Sequence, residues 1–333
     1  MGHKTSSALQ IYKKLPFQID RVDEVTEKRI LSHFKGPLTG TLQVGPDKWM
    51  MPKCYLECAE KLYNVEARTD DIYLCTFPRS GTTWTQEMLW LLCNNLDYET
   101  AKSENIFVRS PFLEFESFVT GGLKDCNKEL TPPAALDLLP QMTCQRVIKT
   151  HLPMKLLPHD ALSKGCKIVY VARNPKDVVV SLFHFLKNPR FLYEGDFDQF
   201  VDLFMDDLLT WSPYFEHVKD GWRHRNDPNV LFLFYEDLVM NLKGSLTSLA
   251  TFVGHSLNEE NIPQLMEHLH IENFKENPTI NQKNLAKYGS GKWVHVRRGR
   301  IGGNPEMTLE IEGRIDEKIE KHFAGTGLKF PYQ

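Results

Sequence analysis

The chain of 333 residues has no run of apolar side chains near the roughly 18 that a membrane-spanning helix needs. Its first residues also lack the apolar segment of a secretory signal peptide. These two absences predict a cytoplasmic protein that is neither secreted nor inserted in a membrane.

Paired cysteines and an excess of one charge are also missing. The seven cysteines are odd in number, scattered, and without a Cys-x-x-Cys or Cys/His spacing, which argues against a disulfide framework and favours reduced thiols. The formal net charge of -3 gives no general attraction to nucleic acid or to anionic membranes. Any anion site must therefore be a local cluster of cations.

Four short apolar runs, each followed by a polar loop and a helical pattern, are typical of buried β-strands. They cover residues 71–76, 146–150, 167–172 and 230–235. Such strands alternating with helices predict an α/β fold with a parallel sheet covered by helices on both faces. Residues 1–70 and 277–303 are expected to be irregular, and the second stretch is rich in glycine, lysine and arginine, which suits a cover over an anion.

The loop after the first predicted strand has the composition of an oxyanion cradle. Gly81 allows a tight turn, so that backbone amides at the start of the following helix point outward with the positive end of the helix dipole. Ser80, Thr82 and Thr83 add hydroxyl donors. The loop has no second glycine followed by lysine and therefore differs from a Walker A loop. The alternative is an ordinary strand–turn–helix connection capped by a threonine.

The ends of the other predicted strands carry further cations and a histidine. Because ligands of parallel sheets bind beyond the carboxyl ends of the strands, Arg173 and Tyr235 are also candidates for this edge. Lys149 and His151 are two positions apart, so in extended backbone both side chains face one side. One can stabilise developing negative charge, and the other can take a proton from a hydroxyl. The alternative is a surface histidine beside a solvated lysine.

Six motifs together resemble those of the cytosolic sulfotransferase family. They are TFPRSGTTW (76–84), KTHLP (149–153), VYVARNPKDVVVS (169–181), LFLFYEDL (231–238), FKENP (274–278) and VRRG (296–299). The segment FVRSPFLEF (107–115) is similar to the family's substrate-pocket segment. The resemblance runs from about residue 37 to the carboxyl terminus, which predicts a sulfotransferase domain at 37–333 after a partly irregular segment at 1–36.

The resemblance implies a single α/β domain with a P-loop-like site for 3′-phosphoadenosine 5′-phosphosulfate (PAPS), and no metal. The reaction would transfer a sulfuryl group to the hydroxyl of a small apolar acceptor such as a phenol, steroid or retinoid. His151 matches the catalytic base and Lys149 a cation beside the transferring group. The residues that match donor-binding positions are Arg79, Ser80, Gly81, Thr82, Thr83, Trp84, Arg173, Ser181, Tyr235, Phe274, Arg297, Arg298 and Gly299. The acceptor would contact His151, Lys149, Phe112, Phe115 and Phe185.

The sequence departs from the family's pattern at two places. Arg79 stands where the family usually has a lysine; arginine can stabilise the bridging oxygen as lysine does, but with a pKa above about 12 it cannot donate a proton. We therefore expect Arg79 to clamp the leaving phosphate through a forked hydrogen bond. Residues 300–316 differ from the segment through which members of the family form dimers. The resemblance therefore does not decide whether this chain forms the family's homodimer.

Two other functions fit parts of the sequence. A nucleotide phosphotransferase would use the loop as a P-loop, but a Gly-Lys-Ser/Thr sequence and an obvious magnesium-binding acid are missing. A binding protein could retain PAPS or an apolar ligand without turnover, although such a protein would not need both His151 and Lys149. An active sulfotransferase is the leading interpretation.

Overall fold

A four-stranded parallel sheet lies at the centre of the computed structural model, which describes residues 12–36, 40–118, 134–188, 191–281 and 295–331. The strands in chain order are β1 (Ile19–Arg21), β2 (Thr41–Val44), β3 (Trp49–Pro52), β4 (Ile72–Thr76), β5 (Val147–Thr150), β6 (Lys167–Ala172) and β7 (Val230–Phe234). The parallel sheet has the order β5-β4-β6-β7. Every residue of β4 and β5 is buried, as near-continuous apolar strands require. The predicted α/β fold is confirmed, and each predicted strand lies within one residue of the observed one.

Helices follow the parallel strands and flank the sheet. They are α1 (Glu24–His33), α2 (Tyr55–Tyr63), α3 (Thr82–Cys93), α4 (Tyr98–Ser103), α5 (Ile106–Arg109), α6 (Ala135–Leu138), α7 (Pro175–Leu186), α8 (Phe197–Met205), α9 (Tyr214–Arg223), α10 (Tyr235–Met240), α11 (Leu242–Val253), α12 (Ile262–Leu269), α13 (Ile271–Glu276), α14 (Pro278–Asn281) and α15 (Leu309–Phe323). Helix α7 begins with Pro175, whose fixed φ suits a first helical turn, and Asn174 caps it by accepting from the amide of Lys176. Within the described ranges, no helix combines the length and apolarity needed to cross a membrane.

The expectation of irregular chain before residue 71 is wrong for the described residues. Strands β1, β2 and β3 form an antiparallel sheet in which Ile19 lies opposite Val44 and Val44 opposite Trp49. Helix α1 begins after Asp23, whose carboxylate accepts from two backbone amides. Strands of three or four residues are too short to show the alternation from which a strand is predicted. The division at residue 37 stays a prediction.

The second stretch expected to be irregular, 277–303, is only partly so. Helix α14 occupies its start, whereas residues 295–303 contain neither helix nor strand. Residues 282–294 lie outside the described part of the chain. Residues 295–304, called here the cover segment, lie against the loop between β4 and α3, as shown below.

A buried ion pair aligns the two strands that lead to the candidate site. Arg146, directly before β5, donates from Nε to Asp71 Oδ1 (2.6 Å) and from Nη2 to Asp71 Oδ2 (2.5 Å), directly before β4. Both side chains are almost completely buried. The forked geometry links the starts of neighbouring strands, so it sets the register in which their carboxyl ends meet.

Removal of one partner of this pair should be costly. Arg146→Met leaves the Asp71 carboxylate buried and unpaired, and we expect it to lower the free energy of unfolding by about 3–5 kcal/mol in urea denaturation. The double variant Asp71→Leu/Arg146→Met should recover most of the loss because no charge is then buried. A loss under about 1 kcal/mol for Arg146→Met, the size found for exposed pairs, would contradict this role.

Candidate active site

The cradle loop, defined as residues 77–83, connects β4 to the first turn of α3. Its backbone enters the left-handed region at Arg79 (φ 71°) and Gly81 (φ 90°). A Cβ atom on Gly81 would lie 2.5 Å from Cδ2 of Tyr235, so the position requires glycine both for its dihedral angle and for space. The turn directs the first amides of α3 toward the carboxyl edge of the sheet, where an anion can accept from them.

The hydroxyl of Ser80 supports an anion site in this loop. Ser80 is completely buried, and its Oγ has no hydrogen-bond partner among the described residues. Buried polar groups are nearly always paired, so an isolated hydroxyl inside a cradle fits a donor to a bound oxyanion. The hydroxyl of Thr82, in contrast, lies 2.7 Å from that of Thr76.

Arg79 turns back over the loop and contacts two distant parts of the chain. Its Nε donates to Ser181 Oγ (3.1 Å) and its Nη2 to the backbone oxygen of His295 (2.9 Å). The guanidinium also lies over the ring of Phe185, 4.8 Å from the centroid. Arg79 and Ser181, predicted from separate motifs, therefore meet. Phe185, predicted as an acceptor contact, lies beside this donor loop.

Three guanidinium groups converge around the cradle loop. Arg173 donates to the backbone oxygen of Arg79 (3.0 Å) and lies over the ring of Tyr235, 4.2 Å from the centroid. Burial, followed by the charges of Arg173 and Arg297, lowers the pKa of Arg79 from its usual value. Since arginine keeps its proton, this shift indicates a concentration of positive charge that a bound anion would relieve. The residues fit a multiply charged phosphate ligand.

The cover segment is fastened to α7 by a carboxylate. Asp177 accepts from the amide of Gly302 (3.1 and 3.0 Å to its two oxygens) and from Asn304 Nδ2 (2.7 Å). The Arg173 guanidinium lies 3.6 Å from the same carboxylate. Of the predicted cover residues, Arg297 is close enough to affect the charge of Arg79, Gly299 lines the groove beside Trp84, and Arg298 donates to the backbone oxygen of Gly303 within the cover segment. The sequence indicated Asp177 only as a favourable charge at a helix start, because its partners lie more than 120 positions away.

A groove beside Trp84 is suited to a flat ring. The indole Nε1 donates to the backbone oxygen of Leu269 (2.9 Å), and Leu269, Ile271 and Gly299 are among the residues that line the groove. Phe274, the aromatic residue predicted for this place, is 2% exposed and packs in the core. Helix α13 turns Ile271 toward the groove and Phe274 away from it. The motif does not record which way each residue of α13 faces, so it could not distinguish Ile271 from Phe274.

His151 is held in one tautomer at the end of β5. Its Nδ1 lies 2.9 Å from the backbone oxygen of Thr76, which can only accept, so Nδ1 carries the proton and Nε2 is an acceptor. Burial and then the charge of Lys149 lower the pKa of His151 well below its usual range. The imidazole is therefore neutral near pH 7, which is the state that a base requires.

Lys149 and His151 face the same side, as predicted. Both side chains contact the ring of Phe112. The Lys149 Nζ lies 4.2 Å from the centroid of this ring, and the centroid of the His151 ring lies 5.2 Å from the same point. Lys149 is inside β5 rather than after it. The chain around Phe112 reaches this place because it forms a parallel bridge with Lys149.

The predicted aromatic residues of the acceptor pocket divide between two places. Phe112 and Phe115 contact each other, with centroids 6.0 Å apart, and lie on the His151 side. Phe118 continues this wall through Trp211, with centroids 5.0 Å apart. Phe185, the third predicted residue, lies instead beside the cradle loop, with its ring centroid 4.8 Å from the Arg79 guanidinium carbon. One aromatic wall therefore lies next to His151.

Two residues of this site were missed from the sequence. Buried Glu114 accepts from the amide of His151 (2.6 Å to Oε1) and from Thr150 Oγ1 (2.7 Å to Oε2). The indole of Trp211 donates to Glu114 Oε1 (3.2 Å) and packs edge-on against the His151 ring at 5.1 Å. Glu114 belongs to the segment 107–115 singled out above, but no pattern linked it to His151. Trp211 carries no local signal.

The carboxyl of Glu114 should make stability depend on pH. Burial raises its pKa from 4.5 to about 7, although hydrogen bonds from Thr150 and His151 oppose the shift. The folded protein then holds a proton that the unfolded chain has lost, so Glu114 lowers stability as the pH rises through this range. Compared with Glu114→Gln, wild type should lose on the order of 3 kcal/mol of unfolding free energy between these pH values.

Urea denaturation of both proteins across this range measures the difference. Glu236→Gln is a useful comparison, since burial also raises the pKa of Glu236 to about 7 while its carboxylate contacts the Asn174 amide instead of His151. A difference between wild type and Glu114→Gln that stays constant with pH would contradict the prediction.

Comparisons with known proteins agree with this geometry. Residues 69–327 match the family described as Sulfotransferase domain. Sulfotransferase 1E1 of Bos taurus is 34% identical to this chain, and the match covers 83% of this chain and 92% of that protein. Luciferin sulfotransferase of Photinus pyralis is 33% identical, and the match covers 93% of this chain and 86% of that protein. A crystal structure of retinol dehydratase in a complex with retinol and PAP has a TM-score of 0.86 and 32% identity, covering 95% of this chain and 99% of that one. The cradle loop, the parallel sheet and the cover segment all lie within the residues that match the family.

Proposed function

The chain belongs to the sulfotransferase family, and we propose that His151 is the base with which it sulfates a small apolar alcohol or phenol. The enzyme transfers a sulfuryl group from PAPS to a hydroxyl acceptor. When bound, PAPS supplies a sulfuryl group activated by its bond to phosphate. The observation that carries the proposal is the contact between His151 Nδ1 and the Thr76 oxygen, which leaves Nε2 as the acceptor for a proton.

The donor is held at the cradle loop and its surroundings. The unpaired Ser80 hydroxyl and the first amides of α3 would bind the 5′ side of the donor, and Arg79 would clamp it. Arg173 and the Arg297 of the cover segment add the positive charge that a second phosphate needs. The groove beside Trp84 would take the adenine ring. Tyr235, Ser181, Arg298 and Gly299 complete the proposed set.

Proton transfer and charge stabilisation are divided between two side chains. His151 takes the proton of the acceptor hydroxyl at Nε2, while Lys149 stabilises the negative charge that develops on the transferring oxygens. Burial, and then the charge of Lys149, keeps His151 neutral before the proton arrives. Glu114 holds the His151 backbone and so fixes the position of the base. These residues position and polarise the reactants, which is the main contribution expected in an in-line group transfer.

The acceptor side favours an apolar hydroxyl compound. Phe112, Phe115, Phe118 and Trp211 form an aromatic wall with few polar groups, which suits a flat phenol, a steroid or an isoprenoid alcohol better than a sugar. The retinol in the retinol dehydratase structure belongs to this class of acceptor. We place the reaction in the cytosol and expect neither a nucleic acid nor a membrane partner.

Transfer of labelled sulfur from PAPS to a panel of phenols, steroids and retinoids tests the proposal. Wild type should label at least one apolar acceptor, and His151→Ala should lower its turnover by about 100-fold or more. His255→Ala is a matched control, because the ring of His255 bonds to Gln145 away from the site and its loss should leave turnover unchanged. Undiminished transfer by His151→Ala would remove His151 as the base, and phosphate transfer from ATP would favour a phosphotransferase.

We propose a second outcome for allylic alcohols, in which the sulfate ester loses sulfate. The TM-score of 0.86 with a protein named retinol dehydratase favours it. The C–O bond breaks with its electron pair on the departing sulfate, an sp³ carbon attached to the conjugated chain loses a proton to water, and the double bonds shift along the chain. Incubation of retinol with PAPS, followed by chromatography and mass spectrometry, should show a product smaller than retinol by one water. Accumulation of the sulfate ester alone would contradict this outcome.

A further inference from the structure

His295, at the start of the cover segment, joins the proposed donor site from a distant part of the sequence. Its ring Nε2 lies 2.9 Å from Thr83 Oγ1, and its backbone oxygen accepts from Arg79 Nη2 (2.9 Å). Its backbone amide donates to Asn281 Oδ1 (3.1 Å). The side chain is buried, so these contacts fix an imidazole against the first turn of α3.

Because residue 79 is an arginine, a nearby imidazole could have a role in protonating the leaving group. A lysine at this position can both stabilise and protonate the oxygen that leaves sulfur, whereas Arg79 can only stabilise it. The Arg79 guanidinium also bonds to Ser181 and to His295. If the leaving oxygen receives a proton, another group must supply it.

We propose that His295 and Thr83 form a proton relay to the 5′-phosphate of the donor, in place of a proton-donating lysine. The imidazolium gives its Nε2 proton to Thr83 Oγ1, and the Thr83 hydroxyl gives its own proton to a phosphate oxygen. Meanwhile the bond from sulfur to the bridging oxygen breaks with its electron pair on phosphate. Sulfur bonds to the acceptor oxygen, whose proton goes to His151. The relay rests on the function proposed above.

The surrounding charges make the protonation of His295 depend on the ligand. Arg79 faces it from the cradle loop and Arg297 lies two positions further along the cover segment, and both disfavour an imidazolium. Phe185 of α7, with its ring centroid 5.9 Å from that of His295, and Asn281 of α14 carry no charge. A bound phosphate dianion reverses this balance. We therefore expect His295 to take up a proton when the 5′-phosphate binds.

Calorimetric titration with adenosine 3′,5′-bisphosphate tests the uptake directly. Binding heats measured at pH 7.5 in buffers of different ionisation enthalpy give the number of protons taken up. Wild type should take up a substantial fraction of a proton, and His295→Gln should bind the nucleotide with most of that uptake lost. His255→Gln, a histidine outside the site, should behave as wild type.

Two results of this titration separate the two proposals. If His295→Gln binds the bisphosphate with undiminished proton uptake, the relay is wrong although the donor site stands. If wild type gives no saturable heat, the proposed function itself fails. Should His295→Gln not fold, Thr83→Val removes the hydroxyl that passes the proton on and should lower kcat by about 10- to 100-fold, whereas Thr83→Ser should retain the wild-type kcat.

A double-mutant cycle gives a second, kinetic readout. His295→Gln should lower kcat by about 10- to 100-fold in the wild-type background. In an Arg79→Lys background the same change should cost less than about 3-fold, because the lysine can donate the proton and the two effects then do not add. Equal losses in both backgrounds would show that His295 acts only as a structural residue and would overturn the relay.

Discussion

Repulsion among partly buried guanidinium groups is the constraint on which the donor side of this structure depends. Arg79 and Arg173 are held beside the cradle loop by backbone oxygens, a serine hydroxyl and aromatic faces, and one carboxylate, Asp177, lies within 4 Å of Arg173. Apart from Asp177, these partners fix the side chains without neutralising them. The positive charge is therefore retained for a ligand, and an adenylate donor with two phosphate-bearing ends is the ligand that the family supplies.

On the acceptor side, in contrast, the central side chain, His151, is kept neutral. His151 is buried next to Lys149, and its ring and backbone are fixed by Thr76, Glu114 and His217. Burial also lowers the pKa of His217 to about 4, so the group that holds the His151 carbonyl stays uncharged as well. A fixed cation and a fixed neutral base at the end of β5 face the aromatic wall. The arrangement separates the site into a cationic half for the donor and an apolar half for the acceptor.

Much of the fold could be predicted because its signals are local. The four parallel strands are short runs of buried apolar residues, and Gly81 marks the turn that follows β4. The small antiparallel sheet was missed because strands of three or four residues carry too little pattern. Phe274 was placed in the donor groove from its motif, whereas the phase of α13 puts Ile271 there. Helical phase depends on where a helix docks, which a motif does not record.

The sequence by itself determined the cradle loop, the strand ends and the pair Lys149 and His151, since each depends on residues within a few positions of one another. Only the tertiary structure decided which distant groups meet them. Arg79 and Ser181 are 102 positions apart, Glu114 and His151 are 37 apart, and Thr83 and His295 are 212 apart. These contacts arise because parallel strands bring their carboxyl ends to one edge and the cover segment folds back over it. No local pattern encodes that closure, because its stabilisation comes from packing and hydrogen bonds between separate segments.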